Sequence, residues 1–177
     1  MKIALLFASS SSIVVLAVEA YRENYSGHWR GIQRSYRDVL HVNADTERER
    51  RSAASFEVAI RQLFLPELQR IDRCTTCHLG VDNPELADTR KPLSTHPGDL
   101  LKHHPVEKFG CTVCHQGEGR AISVEAAHGW DVNDAPVPNA MTPLLRNETV
   151  YTSCGRCHYE IDLYGSQSVE SRRGAVG

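Results

Sequence analysis

This sequence has little of what a 177-residue protein ordinarily uses to build a core. Aromatic residues make up 7 % of the chain, with four phenylalanines and two tryptophans, so its own rings supply little buried apolar surface. Methionine occurs twice, leaving a single thioether beyond Met1, at Met141. Charge of one sign is also lacking. The 20 basic residues face 22 acidic ones, a net charge of −2, and the absence of a basic excess argues against a nucleic-acid partner. Nor is any cysteine left over for a disulfide, because all six fall in three short motifs.

Those motifs are what the chain does have. Cys74, Cys77 and His78, then Cys111, Cys114 and His115, then Cys154, Cys157 and His158 each form Cys-x-x-Cys-His, the attachment pattern of c-type haem. Two cysteines three positions apart can add to the two vinyl groups of one haem, and the histidine after the second thiol then lies under the iron as its proximal ligand. With 9 histidines in 177 residues, chance would place one after all three pairs only about once in ten thousand sequences. Zinc knuckles or thiol redox chemistry are the competing readings, but knuckles combine in pairs to give four ligands, and three pairs leave one over. The spacing therefore predicts three covalently bound haem c groups, whose porphyrins form much of the core and whose propionates make the finished protein more acidic. Covalent attachment takes place on the outer side of an energy-transducing membrane, which implies a periplasmic position for residues from about Asp72 onward.

Toward the N-terminus, the uncharged run Ile3–Val18 is interrupted by Ser9 to Ser12 and is shorter than the roughly 20 residues a spanning helix prefers. It reads as a retained membrane anchor in preference to a signal peptide cleaved after Ala20. Tyr25, Trp29, Ile32, Tyr36 and Val39 recur in steps of three and four, the period of one helical face. That face suits packing on the chain's own haem domain as well as docking on a membrane subunit. Ala53, Phe56, Ile60, Leu63 and Phe64 give a second helical stripe, with Asn43 or Asp45 as its cap and Pro66 ending it. Beyond Cys74 the X-Pro steps at Pro84, Pro92, Pro97 and Pro105 predict turns and extended pieces. Ser123 and Gly129 bracket a short helix ending at His128.

The division expected is 1–44 as anchor and amphipathic helix, 45–72 as helical connector, 73–164 as trihaem domain and 165–177 as polar tail. The fold class is mainly α with extensive loops, an N-terminal transmembrane and amphipathic helix leading into a haem-packed domain. Three irons need sixth ligands, and His28, His41, His96, His103, His104 and His128 remain outside the motifs. His96 and His104 each precede proline, which favours extended backbone. They are expected to ligate with His128, with His103 and Met141 in reserve. His28 and His41 are expected at the surface.

The segments DRCTTCHLGVDNPELAD, THPGDLLKHHPVEKFGCTVCHQGEGRA and SCGRCH resemble the membrane-anchored multihaem c-type cytochromes associated with bacterial quinol-oxidising complexes. The likeness covers roughly residues 66–160. It implies an electron-transfer subunit beside a cytochrome b or related quinol dehydrogenase, held in the cytoplasmic membrane by a single span with its haems facing the periplasm. An electron carrier is thus expected, ahead of a multihaem reductase or peroxidase with one open iron, or a diffusible periplasmic shuttle.

Overall fold

The computed structural model describes residues 2–25, 27–131, 133–138, 140 and 142–158. The chain forms two compact units, Met1–Ile60 with Thr76–Thr95, and Arg61–Thr75 with His96–Gly177.

The first unit opens with helix α1, Lys2–Tyr25, and helix α2, His28–Val42. Glycine is a poor helix former, and Gly27 stands between the two helices in extended backbone, as a cap with no side-chain bond. The aromatic stripe is accordingly split. Tyr25 is exposed at the end of α1, whereas Trp29 and Gln33 are buried on α2. Helix α3, Glu47–Ala54, begins in a capping box: the Thr46 hydroxyl accepts the Glu49 N–H and the Glu49 carboxylate accepts the Thr46 N–H. Helices α2 and α3 pack together, and Tyr36 meets Phe56 with ring centroids 5.3 Å apart. Ala53, Leu86 and Leu93 complete the buried apolar set here.

Among the described residues no helix is long and apolar enough to cross a membrane. Of the described side chains in α1, the unbroken apolar run is only Ile13–Val18, against the roughly 20 residues a span needs. Serines 9–12 precede it, and Glu19, paired with Arg22 at 3.3 Å, follows it. The expected N-terminal transmembrane helix is therefore corrected, and with it the fold class built on that helix and the single-pass placement in the cytoplasmic membrane.

The second unit starts with an antiparallel hairpin, β1 (Leu63–Leu65) and β2 (Arg70–Asp72), in the register Leu63↔Asp72, Phe64↔Ile71 and Leu65↔Arg70. A 3-10 turn at Pro66–Leu68 and Gln69 in the left-handed region make the bend. The connector expected to be helical is thus helical only through Ala54. Leu63, Phe64 and Leu65 are half-buried, exposed and buried in turn, the alternation of a strand. Four one-turn helices follow: α4 (Leu100–His103), α5 (Val106–Phe109), α6 (Thr112–His115) and α7 (Val124–His128). The Ser123 side chain caps α7 and left-handed Gly129 ends it. A 3-10 segment, Asn147–Arg156, leads into the third motif. Among the described residues of this unit, Leu65 and Val106 are the buried large apolar side chains.

Candidate haem-attachment site

The second and third motifs have the same local fold. In each, the N–H groups of the second cysteine and of the histidine return to the carbonyl of the first cysteine, at 3.2 and 2.9 Å in both cases. One such turn brings positions i, i+3 and i+4 to the same face, so both thiols and the imidazole point to one side. The first motif begins in a 3-10 turn, Cys74–Thr76. All six cysteines are free thiols.

Asp72 ties the first two motifs together. It is fully buried. One carboxylate oxygen accepts the Cys74 N–H at 3.0 Å, and the other accepts those of Cys111 at 2.8 Å and Thr112 at 2.9 Å. Burial by itself raises the pKa of this carboxyl, but the donors at Thr112, Cys74 and Cys111 outweigh it and hold the value below the usual carboxylate range. Ligand atoms of Asp72, Cys74 and Cys111 all lie within 4.8 Å of one another. The pKa of the Cys74 thiol is pushed upward by its hydrogen bond with Cys111, then by burial and by the neighbouring Asp72. Such a group suits zinc poorly, since its carboxylate oxygens are committed to backbone donors and it holds one thiol from each of two motifs, not both thiols of a knuckle.

A second link joins motifs two and three. The buried Ser153 hydroxyl donates to the Cys114 carbonyl at 2.6 Å, and Arg156 Nη1 donates to the Val113 carbonyl at 3.4 Å. Burial raises the Cys114 pKa, and Cys154, Cys111 and Cys157 add to the effect against Arg156. Asp72 thus links the cysteine motifs one and two, and Ser153 links motifs two and three.

Four of the histidines come together in two pairs. The His96 and His115 rings are 6.1 Å apart between centroids at 70°, and those of His104 and His158 are 5.9 Å apart at 76°. A metal bridging two imidazoles, with bonds of about 2 Å and ring centres about 1.1 Å beyond each nitrogen, puts the centroids about 6.3 Å apart. Edge-to-face ring pairs cover the same range. Here, however, each pair unites one motif histidine with one outside the motifs, and in both outer rings Nδ1 lies against a backbone carbonyl: Pro97 at 2.8 Å for His96 and Leu100 at 3.3 Å for His104. Where Nδ1 carries the proton, such a contact is the usual support of a ligating histidine.

No family model, curated protein or solved structure matches this chain. The site therefore rests on its own residues.

His115 is half-buried, and burial followed by the neighbouring His96 lowers its pKa while a hydrogen bond with the Leu145 backbone opposes. His128 closes α7, half-buried, with its pKa lowered by burial and then Arg146 against Glu125. His78 is half-buried after the first motif's turn. His103 is exposed at the end of α4, and His28 and His41 are exposed on α2. Met141 and the polar tail 165–177 lie outside the described residues.

Two further residues hold the motifs without any place among the sequence candidates beyond Asp72 as a boundary. Ser153 is one. The other is Gln33, completely buried on α2, which donates to the Ala59 carbonyl at 2.8 Å and the Thr76 carbonyl at 2.9 Å and accepts the Ala59 N–H at 2.9 Å. Asp72 had a local signal, a short acceptor two residues before a cysteine whose N–H it can bind. Gln33 had only its polarity on an apolar stripe.

Proposed function

We propose that this chain is an electron carrier holding three haem c groups, attached through Cys74 and Cys77, Cys111 and Cys114, and Cys154 and Cys157, with His78, His115 and His158 as proximal ligands. The observation that carries the reading is the pairing of His96 with His115 and of His104 with His158 at the separation two axial imidazoles require. Bound haem supplies one-electron ferric–ferrous chemistry, with its potential set by axial ligand, burial and nearby charge.

The chain's own residues do the rest. Asp72 keeps the starts of motifs one and two together, and Ser153 keeps motif three on motif two, so the attachment points stay in sequence. The Nδ1 contacts of His96 and His104 hold those rings ready as ligands, and His128 is the candidate for the remaining sixth position. His96, His104 and His128 would give every iron a second imidazole, which would favour a carrier over a reductase, since a reductase needs an open iron. The likeness of residues 66–160 to cytochromes of quinol-oxidising complexes makes such a complex the proposed electron donor.

The test is production of the chain in cells able to attach haem c, followed by intact mass and acid–acetone extraction. Three added haems that stay on the protein through extraction are expected. Fewer than three, or haem that extracts, sinks the proposal.

A further inference from the structure

Cys74 and Cys111 belong to different motifs, 37 positions apart, yet their thiols meet. The two side chains share a hydrogen bond, and their sulfurs lie within 4.8 Å of each other. Bringing them to the about 2.05 Å of a sulfur–sulfur bond moves each by no more than about 1.4 Å. The backbone is held for the same approach, since the Cys74 and Cys111 N–H groups bond to the two oxygens of the one Asp72 carboxylate at 3.0 and 2.8 Å. Both cysteines are half-buried, so neither is sealed from a small oxidant. Cys77 is the neighbour of Cys74 in sequence, but the hydrogen bond of Cys74 goes to Cys111.

We infer that Cys74 and Cys111 are a redox-active pair that closes to a disulfide between motifs one and two before haem is attached. With oxidised glutathione as the oxidant, one cysteine thiolate attacks the glutathione disulfide and expels a glutathione thiolate; the other cysteine, also as thiolate, attacks the mixed disulfide and expels the second. One S–S bond breaks and one forms, and the two electrons and two protons given up by the protein end on two glutathione thiols. The hydrogen bond with Cys111, burial and Asp72 disfavour the Cys74 thiolate, so the exchange is slower than at an exposed cysteine. The consequence for attachment rests on the trihaem reading: one bond takes an attachment thiol from each of two haems, and reduction opens motifs one and two together.

The full chain, produced without haem attachment and reduced, is equilibrated with a glutathione redox buffer. Its remaining thiols are alkylated, and fragment mass spectra of a digest locate the linkage. In native buffer the Cys74–Cys111 bond is expected to exceed Cys74–Cys77 by about tenfold or more, because the fold holds the first pair at high effective concentration. In urea the order should reverse in favour of the sequence neighbours, whose loop is far shorter. Cys74→Ser should abolish the bond to Cys111, and Cys77→Ser should keep it. Far-UV circular dichroism of the same samples reports the fold. A chain without helical signal in native buffer, a dominant Cys74–Cys77 bond there, or a Cys74–Cys111 yield equal in buffer and urea overturns the pair. None of these touches the trihaem reading, which the haem count of the loaded protein decides separately. Fewer than three haems, with the Cys74–Cys111 bond present, removes the consequence for attachment and upholds the disulfide.

Discussion

Replacing Asp72 with alanine takes the acceptor from three backbone N–H groups at once, those of Cys74, Cys111 and Thr112. Each buried donor left unpaired costs about 1–3 kcal/mol, about 3–9 kcal/mol for three. Relief from burying a carboxylate and water entering the gap offset part of that. A loss of about 3–5 kcal/mol is expected, the range seen when one partner of a buried charged network is removed. Whole-domain stability is only about 5–15 kcal/mol, so the effect is large. Asp72→Asn keeps one carbonyl oxygen but turns an amide donor toward an N–H, and should lose about 2–3 kcal/mol. Urea unfolding of the haem-loaded protein, followed by far-UV circular dichroism, measures both. Its pH dependence has a definite sign. The folded pKa of Asp72 lies below the ordinary value, so the stabilisation is complete above the unfolded pKa of about 3.9 and is lost as pH falls through the folded value. Asparagine gains no proton, so the gap between wild type and Asp72→Asn should narrow below about pH 4. Coincident midpoints at pH 7, or a gap as wide at pH 3 as at pH 7, would refute the account of Asp72 as the ionised staple.

His104→Ala removes the ring facing His158, and His96→Ala the ring facing His115. Each should add a high-spin signal and carbon monoxide binding to the reduced protein while three haems remain attached; an unchanged spectrum in His104→Ala would turn attention to His103. Gln33→Leu leaves the Ala59 and Thr76 backbone groups without their partner and should lower stability by about 1–3 kcal/mol. Thermal unfolding reads this directly, and a midpoint equal to wild type would mean that water replaces the glutamine.

The turns of motifs two and three fit their local spacing, two cysteines and a histidine within five positions. Ser123 and Gly129 marked α7 for the same reason, each acting within one turn. The hairpin was not legible, since Leu63 and Phe64 fit a helical stripe with Ala53, Phe56 and Ile60 as well as they fit a strand. What separates the two is pairing with Arg70, Ile71 and Asp72, a relation between segments that periodicity does not record. The apolar N-terminal run was read as a span because serine is only mildly polar; in α1 its described unbroken stretch is six residues, Ile13–Val18. Pairing of particular histidines is likewise a long-range outcome, and the X-Pro signal at His96 and His104 indicated candidates without giving partners.

The Asp72 staple makes the spacing of motifs one and two independent of how much chain lies between them. Cys74 and Cys111 are 37 positions apart in sequence, yet a single side chain fixes their backbone ends at hydrogen-bond length. Lengthening an exposed stretch of the intervening loop, such as that around Gly98, where no neighbour lies within 4 Å of an added Cβ, leaves those three bonds untouched. Doubling a flexible loop costs only about 0.6 kcal/mol in closure entropy. A longer loop should therefore leave the registration of the Cys74 and Cys111 backbone unchanged.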